Sequence, residues 1–219
     1  VVDAEVETIR NMKFEDVGIE GGYPIGKLKA QKTVAVRGLE FSLKTTVRNV
    51  DDPFDGTQGG NPNDTAPADH KLVEFEIDCT NCPTRFEPIF TTTTIAPKNL
   101  ETTTNNGSLF VNVFDANGLP VLEADVLVHN STINPTITIF DETNASGVLQ
   151  LVDIPTSTQS YEITVSKNGY SSEKTYKPGE PSNPNPTKVH STIVSQTVTY
   201  ISFAKHKVST INFTANNKM

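Results

Sequence analysis

The residues best equipped for chemistry are five aspartates in one stretch, Asp51, Asp52, Asp55, Asp64 and Asp69 of VDDPFDGTQGGNPNDTAPAD. Asn61 and Asn63 add neutral oxygens between them, and Gly56, Gly59 and Gly60 let the backbone turn tightly. Calcium takes six to eight hard oxygen ligands in a flexible shell, which this donor set can supply with help from backbone carbonyls. The expected cofactor is therefore Ca²⁺. The spacing is not that of an EF-hand, and a competing reading stays open: a solvated acidic loop whose Asp and Asn side chains cap turns.

Other chemistry is weakly encoded. Cys79 and Cys82 stand as Cys-Thr-Asn-Cys, a spacing suited to a redox motif, half a zinc site, or a disulfide closing a turn. Zinc needs four ligands and only His70 lies nearby in sequence, so a Cys79–Cys82 disulfide and an oxidising compartment are expected. His129, His190 and His206 are scattered, no Gly-x-Ser-x-Gly or HExxH motif occurs, and no serine has a convincing base. Glu74 and Glu76 lack the enclosing aromatic cleft of a glycosidase. The chain reads as non-enzymatic, with no catalytic residues. A net charge of −8 without a Lys or Arg block argues against nucleic acid as a partner.

The elements that must position these residues follow from pattern. Val2, Val6, Ile9 and Phe14 recur at helical spacing before Gly18, predicting one amphipathic helix. Strands are expected at 32–36 and 39–47 around an Arg37-Gly38 turn, then over Val73–Asp78, and again within 86–96. Glu74, Glu76 and Asp78 would share one strand face, opposite Lys44 and Arg48 on an antiparallel neighbour, as a cross-strand charge ladder. From Ser108 onward short strands separated by turns predict an all-β sandwich. With 35% hydrophobic residues and no Trp, two modest cores fit the 219 residues better than one deep one.

Two resemblances extend this reading. IRNMKFEDVG, GGYP and VRNVDDPFDGT…DTAPADHKLVEFEI resemble the globular part of type IV pilin-like and pseudopilin proteins, with His70 where that family usually has Tyr. VNVFDANGLPVLEADVLVHN, DETNASGVLQLVDIP and YEITVSKNGY resemble carboxypeptidase regulatory-like (transthyretin-like) sandwich domains, with Asp115, Gly118, Pro120, Ala124, Gly147, Pro155, Tyr161 and Gly169 at motif positions.

Together they imply an α+β pilin-like module at 1–101, one long helix packed on an antiparallel sheet. A linker at 102–107 and a sandwich at 108–205 follow, with a terminal strand at 206–219 that begins a truncated further module. The implied function is a structural or minor subunit of an extracellular type IV pilus-like or pseudopilus filament. Its partners would be copies of itself or other pilins. The chain begins at Val1, inside the helix, so the precursor's membrane-anchoring apolar segment is expected to be missing. The alternative is a cell-surface adhesin that binds a glycan or protein through sandwich loops at 130–135 or 178–186, with Phe140, Tyr161, Tyr170 and Tyr176 as candidate aromatic contacts.

Overall fold

The computed structural model describes residues 2–98 and 103–209. The chain opens with helix α1 (Val2–Arg10), whose Ile9 is buried, with Asp3 and Glu5 in its first turn and Arg10 in its last, as the helix dipole favours. The helix stops there. Asn11 donates its side-chain amide to the Glu7 carbonyl at 2.7 Å, and the Met12 N–H folds back to the Ile9 carbonyl at 3.0 Å. A single 3₁₀ turn at Phe14–Asp16 is all that continues it. The expected α+β architecture with a long helix on a sheet is thus corrected: among the described residues the fold is all-β with one short helix.

Four strands, β1 (Gln31–Val36), β2 (Leu39–Val50), β3 (His70–Cys79) and β4 (Ile89–Ile95), form an antiparallel meander in that order. Arg37 and Gly38 join β1 to β2 with φ of 51° and 84°, the backbone that a two-residue hairpin turn requires. Register pairs Leu43 with Ile77, Thr45 with Phe75 and Val47 with Val73. Because side chains alternate along a strand, this places the apolar set on one face, where it packs with Ile9, Val17 and Ile95 into a first core. The opposite face carries Lys44, Arg48, Glu74 and Glu76, and it looks toward the sandwich across a cleft of about 450 Å³.

The second half is a sandwich of two sheets. One contains β6 (Asp125–Asn130), β7 (Ile137–Glu142), β9 (Ser157–Ser166), the two-residue β10 (Glu173–Lys174) and β11 (Ser191–Ile193). The other orders β12 (Val198–Lys205), β5 (Gly107–Asp115) and β8 (Val148–Ile154), with β12 parallel to β5. Their inner faces interleave as a second core that includes Leu109, Val111, Val126, Val128, Ile163, Val165 and Phe203. Ala124 and Tyr161 are fully buried there, and the Tyr161 hydroxyl donates to the Pro155 carbonyl at 2.6 Å. Of the terminal strand expected at 206–219, residues 210–219 lie outside the described residues, as does residue 102 at the start of the linker.

Candidate metal centre at the junction

The loop from Asp51 to Asp69 leaves β2 and returns to β3, so its two ends are neighbours in the sheet. Its interior is built from local side-chain caps. Asp52 accepts the Phe54 N–H at 2.9 Å, Asp51 accepts the Gln58 N–H at 2.9 Å, Asn63 accepts the Gly59 N–H at 2.6 Å, and Asp64 accepts the Ala66 N–H at 2.8 Å. Gly56, with φ of 129°, lies so close to the Pro62 carbonyl that an added Cβ would stand 2.6 Å from it. Turn capping, the bland reading of these acids, therefore accounts for one oxygen on several of them.

It does not account for the others. Asp52, Asp55 and Asp69 bring one carboxylate oxygen each to within 4.8 Å of one another. Asp51 Oδ1, Asp64 Oδ2 and Asp69 Oδ1 are buried without any hydrogen-bond partner, and Asp64 is only 9% exposed. An unpaired buried carboxylate oxygen is costly, and these face one another's negative charge. Burial pushes the Asp51 carboxyl up to about 6, and the charges of Asp64, Asp69 and Asp55 push it the same way. Asp69 is raised by burial, with Asp55, Asp64 and Asp52 adding to it. The arrangement offers oxygens and excess negative charge, the two properties a hard divalent cation requires.

The rest of the loop binds it to the sandwich. Gln58, 3% exposed, accepts from the Ser108 hydroxyl at 2.5 Å and donates to the Asn106 carbonyl at 3.4 Å. The Gln196 amide donates to the carbonyls of Thr65 and Thr104. No sequence signal marked Gln58 or Gln196; their role comes from hydrogen bonds that only the fold brings together.

Of the expected charge ladder, Lys44 meets Glu76 at 3.3 Å and Arg48 lies 3.8 Å from Glu74, while Asp78 is exposed and instead accepts the Cys79 N–H. The main partner of Arg48 is Asp141 on β7, which takes both ends of the guanidinium fork and whose side chain is 5% exposed. Two hydrogen bonds to one buried carboxylate outweigh one distant contact to a half-buried one. Cys79 and Cys82 form a disulfide, as expected.

Two further buried ionisable groups are structural. His190 is buried against the Thr175 hydroxyl at 3.0 Å, and that hydroxyl also accepts the Ile163 N–H. Lys71 is buried with its ammonium donating to the Phe14 and Val17 carbonyls at 2.9 and 2.6 Å, and burial lowers its pKa to about 8. Tyr161 belongs to the core, while Phe140 is 71% exposed.

No protein-family model and no curated protein matches this chain. Among solved structures, it is similar to the minor pilin GBS52 of Streptococcus agalactiae at 9% identity and TM-score 0.34, covering 65% of this chain and 63% of that one. It is similar to the pilus 2b backbone protein of group B streptococcus at 10% identity and TM-score 0.29, covering 64% and 50%. A 3-chlorocatechol 1,2-dioxygenase from Rhodococcus opacus stands beside them at 14% identity and TM-score 0.30, covering 47% and 61%. The chain spans less than two thirds of each of these proteins, and likenesses this distant establish no common fold.

Proposed function

We propose that this chain is a non-enzymatic structural subunit, major or minor, of an extracellular type IV pilus-like or pseudopilus filament, its sandwich displayed outward. The acidic loop holds Ca²⁺ through Asp52, Asp55 and Asp69, with Asp51 and Asp64 completing the negative surroundings. One observation carries this reading: the loop that the pilin-like motif singles out is used as architecture. Its carboxylates converge on one another, and its Gln58 side chain binds the loop to the sandwich. A cation there neutralises the mutual repulsion and offsets the ordering entropy of a long loop. The resemblance to carboxypeptidase regulatory-like domains supports a displayed scaffold domain in the second half.

Two measurements test the two parts. Thermal unfolding with Ca²⁺ and with EDTA tests the metal; an unchanged midpoint refutes it. Immunogold electron microscopy of the source cells with antibody to the sandwich tests the filament; label confined to the medium or spread over the cell body refutes that part. An adhesive role through the sandwich is a second reading, favoured by the exposed ring of Phe140.

A further inference from the structure

Edge strands are normally protected by charge, proline, a bulge or a covering element, because their free N–H and C=O groups invite another strand. The edges of this protein differ in that respect. On β1, Lys32 is held across the edge element by Glu5 at 2.6 Å. On β7, Asp141 and Glu142 supply two acids. Strand β4 reads Ile-Phe-Thr-Thr-Thr-Thr-Ile, without one charged residue. It pairs with β3 on one side, and among the described residues no hydrogen bond reaches its other side. Ile89 and Phe90 are 52% and 63% exposed. Pro88 precedes the strand and Pro97 follows it, limiting any added pairing to the segment between them.

The occupant is suggested by the strand's own sequence. Read backwards it is Ile-Thr-Thr-Thr-Thr-Phe-Ile, nearly itself. We infer that β4 pairs antiparallel with β4 of a second copy of this chain, on a two-fold axis through Thr92. In that register Ile89 faces Ile95 of the partner subunit, Phe90 faces Thr94 of the partner subunit, and Thr91 faces Thr93 of the partner subunit. Apolar and Thr–Thr pairs are favourable cross-strand neighbours, and no like charges oppose each other. A contact that is the same patch on both copies closes on itself as a dimer. The inference is independent of the filament reading and of the metal.

One seven-residue strand per copy buries much less than the roughly 800 Å² per partner of a stable interface, so the dimer is weak and forms only at high protein concentration. Sedimentation velocity should show reversible dimerisation of the wild type as its concentration approaches roughly 1 mM. Thr92 is exposed but stands opposite Glu74 on β3, so circular dichroism first checks that Thr92→Lys and Thr92→Glu are folded. Each places like charges across the axis and should be monomeric, while their equimolar mixture should dimerise again. Mild oxidation of Thr92→Cys should cross-link at least about tenfold faster than Thr94→Cys, whose copies stand roughly 13 Å apart across the axis at 3.3 Å per residue. A wild type that stays monomeric, a mixture that does not rescue, or equal cross-linking rates would each overturn the proposal.

Discussion

Asp51 gives the sharpest test of the metal centre, because its charge state couples the loop to pH and to cations at once. Its pKa is about 6 in the folded chain against 3.8 for an ordinary aspartate. A raised carboxyl means that between those values the folded state binds the proton and the unfolded state does not. Stability therefore rises as pH falls from above 6 toward 4, and is lower once the group is ionised. The full shift would be worth about 3 kcal/mol, but Asp51 is only partly buried, and solvent screening reduces this to roughly 1 to 2 kcal/mol.

Asp69, Glu142 and Asp153 are also raised and slope the same way, whereas the lowered pKa of His190 removes stability as pH falls below 6.5. The difference between wild type and Asp51→Asn isolates the one group. The amide oxygen keeps the Gln58 N–H bond and removes the charge. In EDTA at pH 7.5 the variant should melt higher by about 2–6 °C, and its advantage should vanish near pH 4. In Ca²⁺ the order should reverse, since the cation then rewards the carboxylate. Circular dichroism melting over pH 4–8 reads all three arms. A variant that tracks the wild type at every pH in EDTA would refute the reasoning about repulsion, and an unchanged order in Ca²⁺ would refute the ion.

Other perturbations probe the frame around the site. Arg48→Ala leaves the buried Asp141 carboxylate unpaired and should cost about 3–5 kcal/mol in urea unfolding, while Arg48→Met with Asp141→Leu should recover most of it. Gly147→Ala should cost more than about 3 kcal/mol, because φ is 70° and the new Cβ would sit 2.5 Å from the Val113 carbonyl. Gly118→Ala, at φ of 77° with open space around it, should cost only about 1 kcal/mol by the same measurement. Replacing Cys79 and Cys82 by serine should lower stability by at most about 2 kcal/mol, since the bridge spans a sequence separation of 3.

The sheet of the first half was legible where alternation was strict. Val73, Phe75 and Ile77 against Glu74 and Glu76 identify both the strand and its buried face, and the Arg37-Gly38 turn fixes its neighbour. The helix length was not legible, because periodicity through Phe14 cannot reveal that Asn11 closes the last turn. Strands β10 and β11 escaped for a different reason: two- and three-residue strands are too short to show a period and are made by the partner β9. At the site, residue type pointed to the five aspartates, but not to which would converge. Asp52, Asp55 and Asp69 do, while Asp51 and Asp64 contribute buried, unpartnered oxygens beside them. Asn130 opens an Asn-Ser-Thr triplet, a pattern suited to a surface loop, yet it is fully buried and donates to Ser160.

Beside the apolar contact of Tyr23 with the second core, several polar, long-range contacts join the two halves, and these give the acidic loop its consequence. Arg48 reaches Asp141, Asn49 donates to the Val152 carbonyl at 3.2 Å, Tyr23 donates to the Asp153 carbonyl, and Gln58 exchanges bonds with Ser108 and Asn106. Apolar packing tolerates sliding, whereas hydrogen bonds between buried partners specify one geometry and are costly when left half-made. Gln58 belongs to the acidic loop, between Asp55 and Asp64. A loop that opens under its own charge therefore withdraws the Gln58 amide from Ser108. The charge balance of the five aspartates should therefore bear on the Gln58 contact that joins loop to sandwich. If the loop holds Ca²⁺ as proposed, its removal should raise hydrogen exchange at the start of β5, where the Ser108 N–H is held by the Thr197 carbonyl, as well as within the loop. Exchange confined to the loop would mean that the acids stabilise only themselves.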